Sequence, residues 1–174
     1  MTFGTGAEII AIENTDYVGC GEDWTTWGQV DFDSAQTFVD NVLAALGARQ
    51  MSMLHIQVHG NFLDVSFGSD RVSTSTFGNY SALFGRLTPK FDPNSWVFLR
   101  ACDVGQNIAL LQQFQQLWNV GIVAGRWRQN NVLDFNLGYY QIIDPAGNQS
   151  QSFTLPWAHY SFDRRLLRAV TSRL

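Results

Sequence analysis

The chain has 174 residues, 45% of them hydrophobic and 15% charged, which is enough apolar material for one substantial core and reads as a single domain over residues 1–174. Its formal net charge is −4 and its pI about 5.2, which argues against a general nucleic-acid or anionic-membrane surface, because both need clustered positive charge. The cations are ten Arg and one Lys, a skew that codon bias alone can produce and that also occurs in proteins delivered into foreign cells.

The start, Met1-Thr2-Phe3-Gly4-Thr5-Gly6, has neither a charged n-region nor a continuous apolar h-region, and no apolar run approaches the about 18 residues of a membrane span. A cytoplasmic location without a membrane partner is the expectation, with delivery into another cell left open. Ala7-Glu8-Ile9-Ile10-Ala11-Ile12 reads as a first strand, nearly all apolar and so central in a sheet. Residues 14–29 read as a loop rich in Gly, Asp, Thr and Trp, with Tyr17, Trp24 and Trp27 covering an end of the sheet. Cys20 in that loop lacks a spaced ligand partner and reads as incidental. Together with Cys102 it makes no disulfide framework, and a reducing compartment suits both.

Asp33 or Ser34 offers an N-cap, and Phe38, Val42, Leu43 and Leu46 recur at helical spacing as far as Gly47. This crossover helix returns the chain to a strand over 53–60, in which His55, Gln57 and His59 alternate with Leu54, Ile56 and Val58. Residues 62–77 read as a β-hairpin turning at Gly68-Ser69-Asp70. A short helix over Ser81–Leu87 is expected to halt before Thr88-Pro89, and Asp92-Pro93-Asn94 to turn into a strand ending at Ala101-Cys102. Val104–Trp118 reads as one amphipathic helix, with Ile108, Leu111, Phe114, Leu117 and Trp118 on a single face. Val120–Gly125 is a buried parallel strand; residues 138–143 and 152–155 flank the turn Asp144-Pro145-Ala146-Gly147-Asn148. Residues 158–174 close as a helix whose Arg164, Arg165, Arg168 and Arg173 read as a solvated face. Together these elements predict an α/β three-layer sandwich, a mostly parallel sheet with helices on both faces and antiparallel hairpins added.

Two of the expected strands stop at a reactive side chain and then meet a glycine: Val58-His59-Gly60, and Arg100-Ala101-Cys102-Asp103-Val104-Gly105. In parallel sheets ligands and chemistry gather outside the carboxyl ends of the strands. A Cys beside a His is the minimal kit for covalent catalysis, since the imidazole takes the thiol proton and the thiolate attacks a carbonyl. A helix starting at Val104 would favour the thiolate of Cys102. The backbone N–H groups of Gly60 and Cys102 are then candidate oxyanion donors. The plain reading stands beside this one: a buried cysteine closing a hydrophobic strand, and a His-Gly strand end entering a turn. His55 reads as a hydrogen-bonded structural residue and His159 as a surface one. No spacing of His, Cys and carboxylates suits a metal, and no Gly-rich phosphate loop is present, so no cofactor is expected.

The ordered pair Val58-His59-Gly60 and Arg100-Ala101-Cys102-Asp103, about one βαβ unit apart, resembles the caspase-like (clan CD) cysteine peptidases, in particular the small bacterial CHAT domains. The resemblance covers roughly Ser52 to Trp127, and the hairpin after His-Gly belongs to it. It implies a cysteine endopeptidase acting on a protein or peptide through His59 and Cys102. It also implies that Gly125-Arg126-Trp127-Arg128, which resembles the Ser-Trp-Arg segment of caspases, helps form the pocket for the side chain before the cleaved bond. An acidic residue there suits Arg126 or Arg128 against a Trp127 wall; as solvated charges at a strand end, the two arginines have an equally simple reading. The chain departs from the caspase Gln-Ala-Cys-Arg-Gly motif: Arg100 and Asp103 flank Ala101-Cys102, and the glycine, Gly105, is displaced by one position. It is also compact ahead of the His strand, where family cores usually have a further strand and helix. A catalytically degenerate member serving as an interaction module or effector is the alternative. The sequence names no activating or delivery partner.

Overall fold

The computed structural model describes residues 6–13, 28–130, 135–136 and 138–155. In chain order they form β1 (Ala7–Glu13), β2 (Gly28–Phe32), α1 (Ala35–Leu46), β3 (Met51–Gln57), β4 (Asp64–Phe67), β5 (Asp70–Ser73) and α2 (Phe77–Phe84). There follow β6 (Phe91–Arg100), α3 (Ile108–Trp118), β7 (Gly121–Gly125), β8 (Gln129–Asn130), β9 (Phe135–Asn136), β10 (Tyr140–Ile143) and β11 (Gln149–Ser152). One seven-stranded sheet runs in the order β2-β1-β3-β6-β7-β10-β11. Its first five strands are parallel, and β10 and β11 are antiparallel additions. β4 and β5 make a separate antiparallel hairpin. This is the α/β class that the alternation of elements predicts, with a mostly parallel central sheet consistent with a three-layer sandwich.

The connections β2→β3, β3→β6 and β6→β7 all advance in the same direction across the sheet, so right-handed crossovers set their helices on the same face. There Phe38 and Val42 of α1, Phe84 of α2 and Leu110, Phe114 and Trp118 of α3 pack over Leu54, Ile56, Val97, Leu99 and Ile122. The opposite face carries Met53, Trp96, Phe98, Val123, Tyr140 and Ile142, with Leu155 packed against it. The expected helix over 158–174 with its arginines, His159, Cys20 and the loop aromatics Tyr17, Trp24 and Trp27 lie outside the described residues.

Local chemistry explains where several elements begin. Ser34 Oγ accepts from Thr37 N and Thr37 Oγ1 accepts from Ser34 N, a reciprocal capping box that starts α1, and Gly47 ends it. β2 lies partly inside the stretch read as loop; its inward signal is only Val30 and Phe32, too short an alternation to stand out. The short helix begins earlier than expected, at Phe77, because Phe77 and Phe84 both reach the core. It then continues as a 3₁₀ turn over Gly85–Lys90 that contains Pro89 rather than halting before it. The turn expected at 92–94 appears as an irregularity within β6: Met51 pairs with Phe91 but Met53 with Trp96, while Asp92 Oδ1 accepts from Asn94 N.

β11 begins at Gln149 rather than Ser152 because the preceding turn closes on itself. Asn148 donates from its backbone N and its Nδ2 to the two carboxylate oxygens of Asp144, at 2.8 and 2.9 Å. The Asn148 side chain, with backbone donors of the turn, holds the Asp144 carboxyl below its ordinary value. A depressed carboxyl contributes stability above its unfolded value and loses it as pH falls through the folded one. Because solvent screens this carboxyl, Asp144→Ala is expected to lower stability at pH 7 by less than about 1 kcal/mol. Urea unfolding followed from pH 7 to pH 3 should show that difference shrinking; a difference that stays constant to pH 3 would contradict it.

Candidate active site

β1 pairs with both β2 and β3, so the strand order reverses there, and the carboxyl ends of β1, β3 and β6 lie side by side. Gln57 is opposite Arg100 in the β3–β6 register; two residues further along their chains stand His59 and Cys102. The pairing runs one step beyond β3, since Val58 N donates to Arg100 O at 3.3 Å. The chain then turns against the hairpin. Ser66 N donates to His59 O and Asn61 N to Asp64 O, placing Gly60 across from Val65. Asn61 Oδ1 accepts from Leu63 N and Asp64 N, which fixes this turn.

Gly60 is where the two motifs meet. A Cβ at this position would stand 2.6 Å from Val104 Cγ2 and 3.0 Å from Ala101 Cβ. Only glycine permits so close an approach of the His59–Gly60 backbone to the residues flanking Cys102. His59 is exposed and Cys102 half-buried, with its thiol free. Neither the Gly60 nor the Cys102 amide donates to an acceptor among the described residues.

On its other side the Cys102 loop leans on the chain after β7. Asp103 takes a left-handed conformation, φ 60°, and its N–H donates to Trp127 O at 3.2 Å. Gln106 Nε2 donates to Arg126 O at 2.8 Å, and Arg126 N to Tyr139 O at 2.9 Å. Between these segments lies a depression of about 390 Å³, lined by Gln106, Arg126, Trp127, Tyr139 and Gln151. Arg126 and Trp127 thus stand beside the Cys102 loop, while Arg128 is exposed and outside that lining.

The helix expected from Val104 starts later. A 3₁₀ turn covers Val104–Gln106, and α3 begins at Ile108 behind the N-cap Asn107, whose side chain accepts from Leu110 N. The field of a helix terminus fades within about one turn, and Ile108 lies six residues past Cys102, so the α3 N-terminus does not open at Cys102 as the expected helix would. Asn107 also ties α3 to the loop after Gly60, since its Nδ2 donates to Leu63 O.

His55 Nε2 lies 2.8 Å from Glu8 Oε1 within the sheet, as suits a structural histidine. Sequence reasoning missed Glu13, which ends β1 and is 2% exposed. Its two oxygens accept from His59 N and from Ser66 Oγ, both at 2.9 Å. The one available signal was a carboxylate directly after the apolar run Ile9–Ile12. Gln106, Tyr139 and Gln151 carried no chemical signature in the sequence. Among the described residues no three His, Cys, Asp or Glu side chains are grouped to hold a metal ion, and no helix is long and apolar enough to cross a membrane. No family model matches the chain, and no curated protein matches it.

Proposed function

We propose that the chain is a caspase-like cysteine endopeptidase with Cys102 as nucleophile and His59 as general base. The observation that carries this reading is the seat of Gly60 on Ala101 and Val104, which sets the His-Gly and Ala-Cys segments together at the carboxyl ends of adjacent parallel strands. In the proposed reaction the His59 imidazole takes the proton from Cys102 Sγ and the thiolate attacks the carbonyl carbon of the scissile peptide bond. The tetrahedral oxyanion accepts from the N–H groups of Gly60 and Cys102, each such donor typically contributing about 2.7–4 kcal/mol. Collapse breaks the C–N bond, His59 returns its proton to the leaving amine, and water then hydrolyses the thioester. The chemistry uses no cofactor.

Arg126 and Trp127, lining the depression beside the Cys102 loop, favour an acidic side chain before the cleaved bond, since a guanidinium pairs bidentately with a carboxylate. Arg128, outside that lining, fits the solvated reading better. A peptide library profiled by mass spectrometry tests both: cleavage after Asp or Glu is expected, with that preference lost in Arg126→Ala and retained in Arg128→Ala. Cleavage after Arg, Lys or large apolar residues, unchanged in Arg126→Ala, removes the arginine pocket. A second reading, the catalytically degenerate interaction module, draws on the late start of α3, six residues past Cys102. It gives no cleavage of any library member.

A further inference from the structure

Glu13 is the one buried carboxylate among the described residues, and burying a charge is unfavourable unless hydrogen bonds compensate it. Both of its oxygens are engaged, one by the His59 backbone N–H and one by the Ser66 hydroxyl, whose single proton is shared between Glu13 Oε1 and Gly68 O. Ser66 N in turn donates to His59 O, so the main chain of His59 is held on both sides, by β1 through Glu13 and by β4 through Ser66. The network joins the end of β1 to residues 46 and 53 positions along the chain. It acts on the backbone of the residue whose side chain must meet Cys102, not on a remote strand.

We infer that Glu13 is a positioning residue for His59, a tether that fixes its backbone against the Cys102 loop; this rests on the dyad proposed above. The tether needs an oxygen acceptor at the end of a glutamate-length side chain, not a negative charge. Glutamine keeps that reach: its Oε1 can accept from His59 N while its Nε2 donates to Ser66 Oγ, which still donates to Gly68 O. Aspartate keeps the charge but is shorter by one methylene, and alanine removes both.

The test is the rate at which iodoacetamide alkylates Cys102 at pH 7 in the full chain, read by peptide mapping with Cys20 as an internal reference. Wild type, His59→Ala, Glu13→Gln, Glu13→Asp and Glu13→Ala are compared. Ser95→Ala serves as a control, because it removes a buried hydroxyl bonded to Met51 O at the opposite end of the sheet. Misplacing a reactive group by about 1 Å can cost about 100-fold, so His59→Ala, Glu13→Asp and Glu13→Ala should each slow Cys102 by about tenfold or more. Glu13→Gln and Ser95→Ala should stay within about twofold of wild type on that scale. Glutamine as slow as alanine, or aspartate as fast as wild type, overturns the tether. All Glu13 variants at the wild-type rate while His59→Ala is slow overturn the positioning role alone. His59→Ala at the wild-type rate overturns the dyad and the positioning role with it.

Discussion

Cys102→Ala is expected to reduce peptide-bond cleavage by at least about 10³-fold and to leave the fold intact. Removing a nucleophile that forms the covalent intermediate eliminates the route altogether, and residual rates come only from binding and oxyanion stabilisation. His59→Ala is expected to fall nearly as far, because members of a catalytic unit lose most of the rate singly. The double variant should therefore be little worse than Cys102→Ala. Structure is spared because Cys102 is half-buried at a strand end and His59 is exposed, so neither truncation opens a cavity in the core. Initial rates on a cleaved library peptide, with circular dichroism of each variant, check this. Full activity in Cys102→Ala would remove the mechanism.

Gly68→Ala is expected to be the most damaging single methyl for stability, at roughly 2–4 kcal/mol, the combined scale of a strained left-handed residue and an overpacked contact. Gly68 sits at φ 63° in the turn of the β4–β5 hairpin, and a Cβ there would come 1.8 Å from the carbonyl oxygen of Asp33. That carbonyl is not a movable side chain. It accepts from Ser69 N, and the same hairpin sends Asp70 Oδ2 to accept from Ala35 N in the first turn of α1. Relieving the clash means lifting the hairpin off the helix start, which pulls Phe67 away from Phe38 and Phe84, whose ring centroids are each 5.0 Å from its own. Urea unfolding measures the loss; a change below about 1 kcal/mol, no more than a mild backbone penalty, would show that the turn relaxes freely.

Features dictated by neighbouring residues were legible in the sequence, and those dictated by distant ones were not. Ser34 and Gly47 bracket α1, Gly68-Ser69 turns the hairpin, and the apolar runs before His59 and Cys102 are strands that deliver both residues to the carboxyl end of the sheet. α3 begins four residues later than the apolar pattern predicts, because Val104 is buried like a helix residue whereas the Asn107 side chain supplies the cap three residues later. Glu13 was unreadable for another reason: as a carboxylate after a strand it looks like a solvated end, and only the return of His59 and Ser66 turns it into a buried acceptor. The lining of the depression comes from Gln106, Tyr139 and Gln151 on three separate segments, and no local pattern assembles such a set.

In the proposed mechanism Cys102 carries the acyl group of a cleaved peptide. Rapid acid quench of the wild-type chain during turnover of a cleaved library peptide, followed by peptide mapping under acidic conditions, measures this directly. The result predicted is a thioester adduct on Cys102 with the mass of the amino-terminal product, formed at least about tenfold more slowly in His59→Ala. Cleavage that proceeds with no adduct on Cys102, or with an adduct on Cys20 alone, would contradict it.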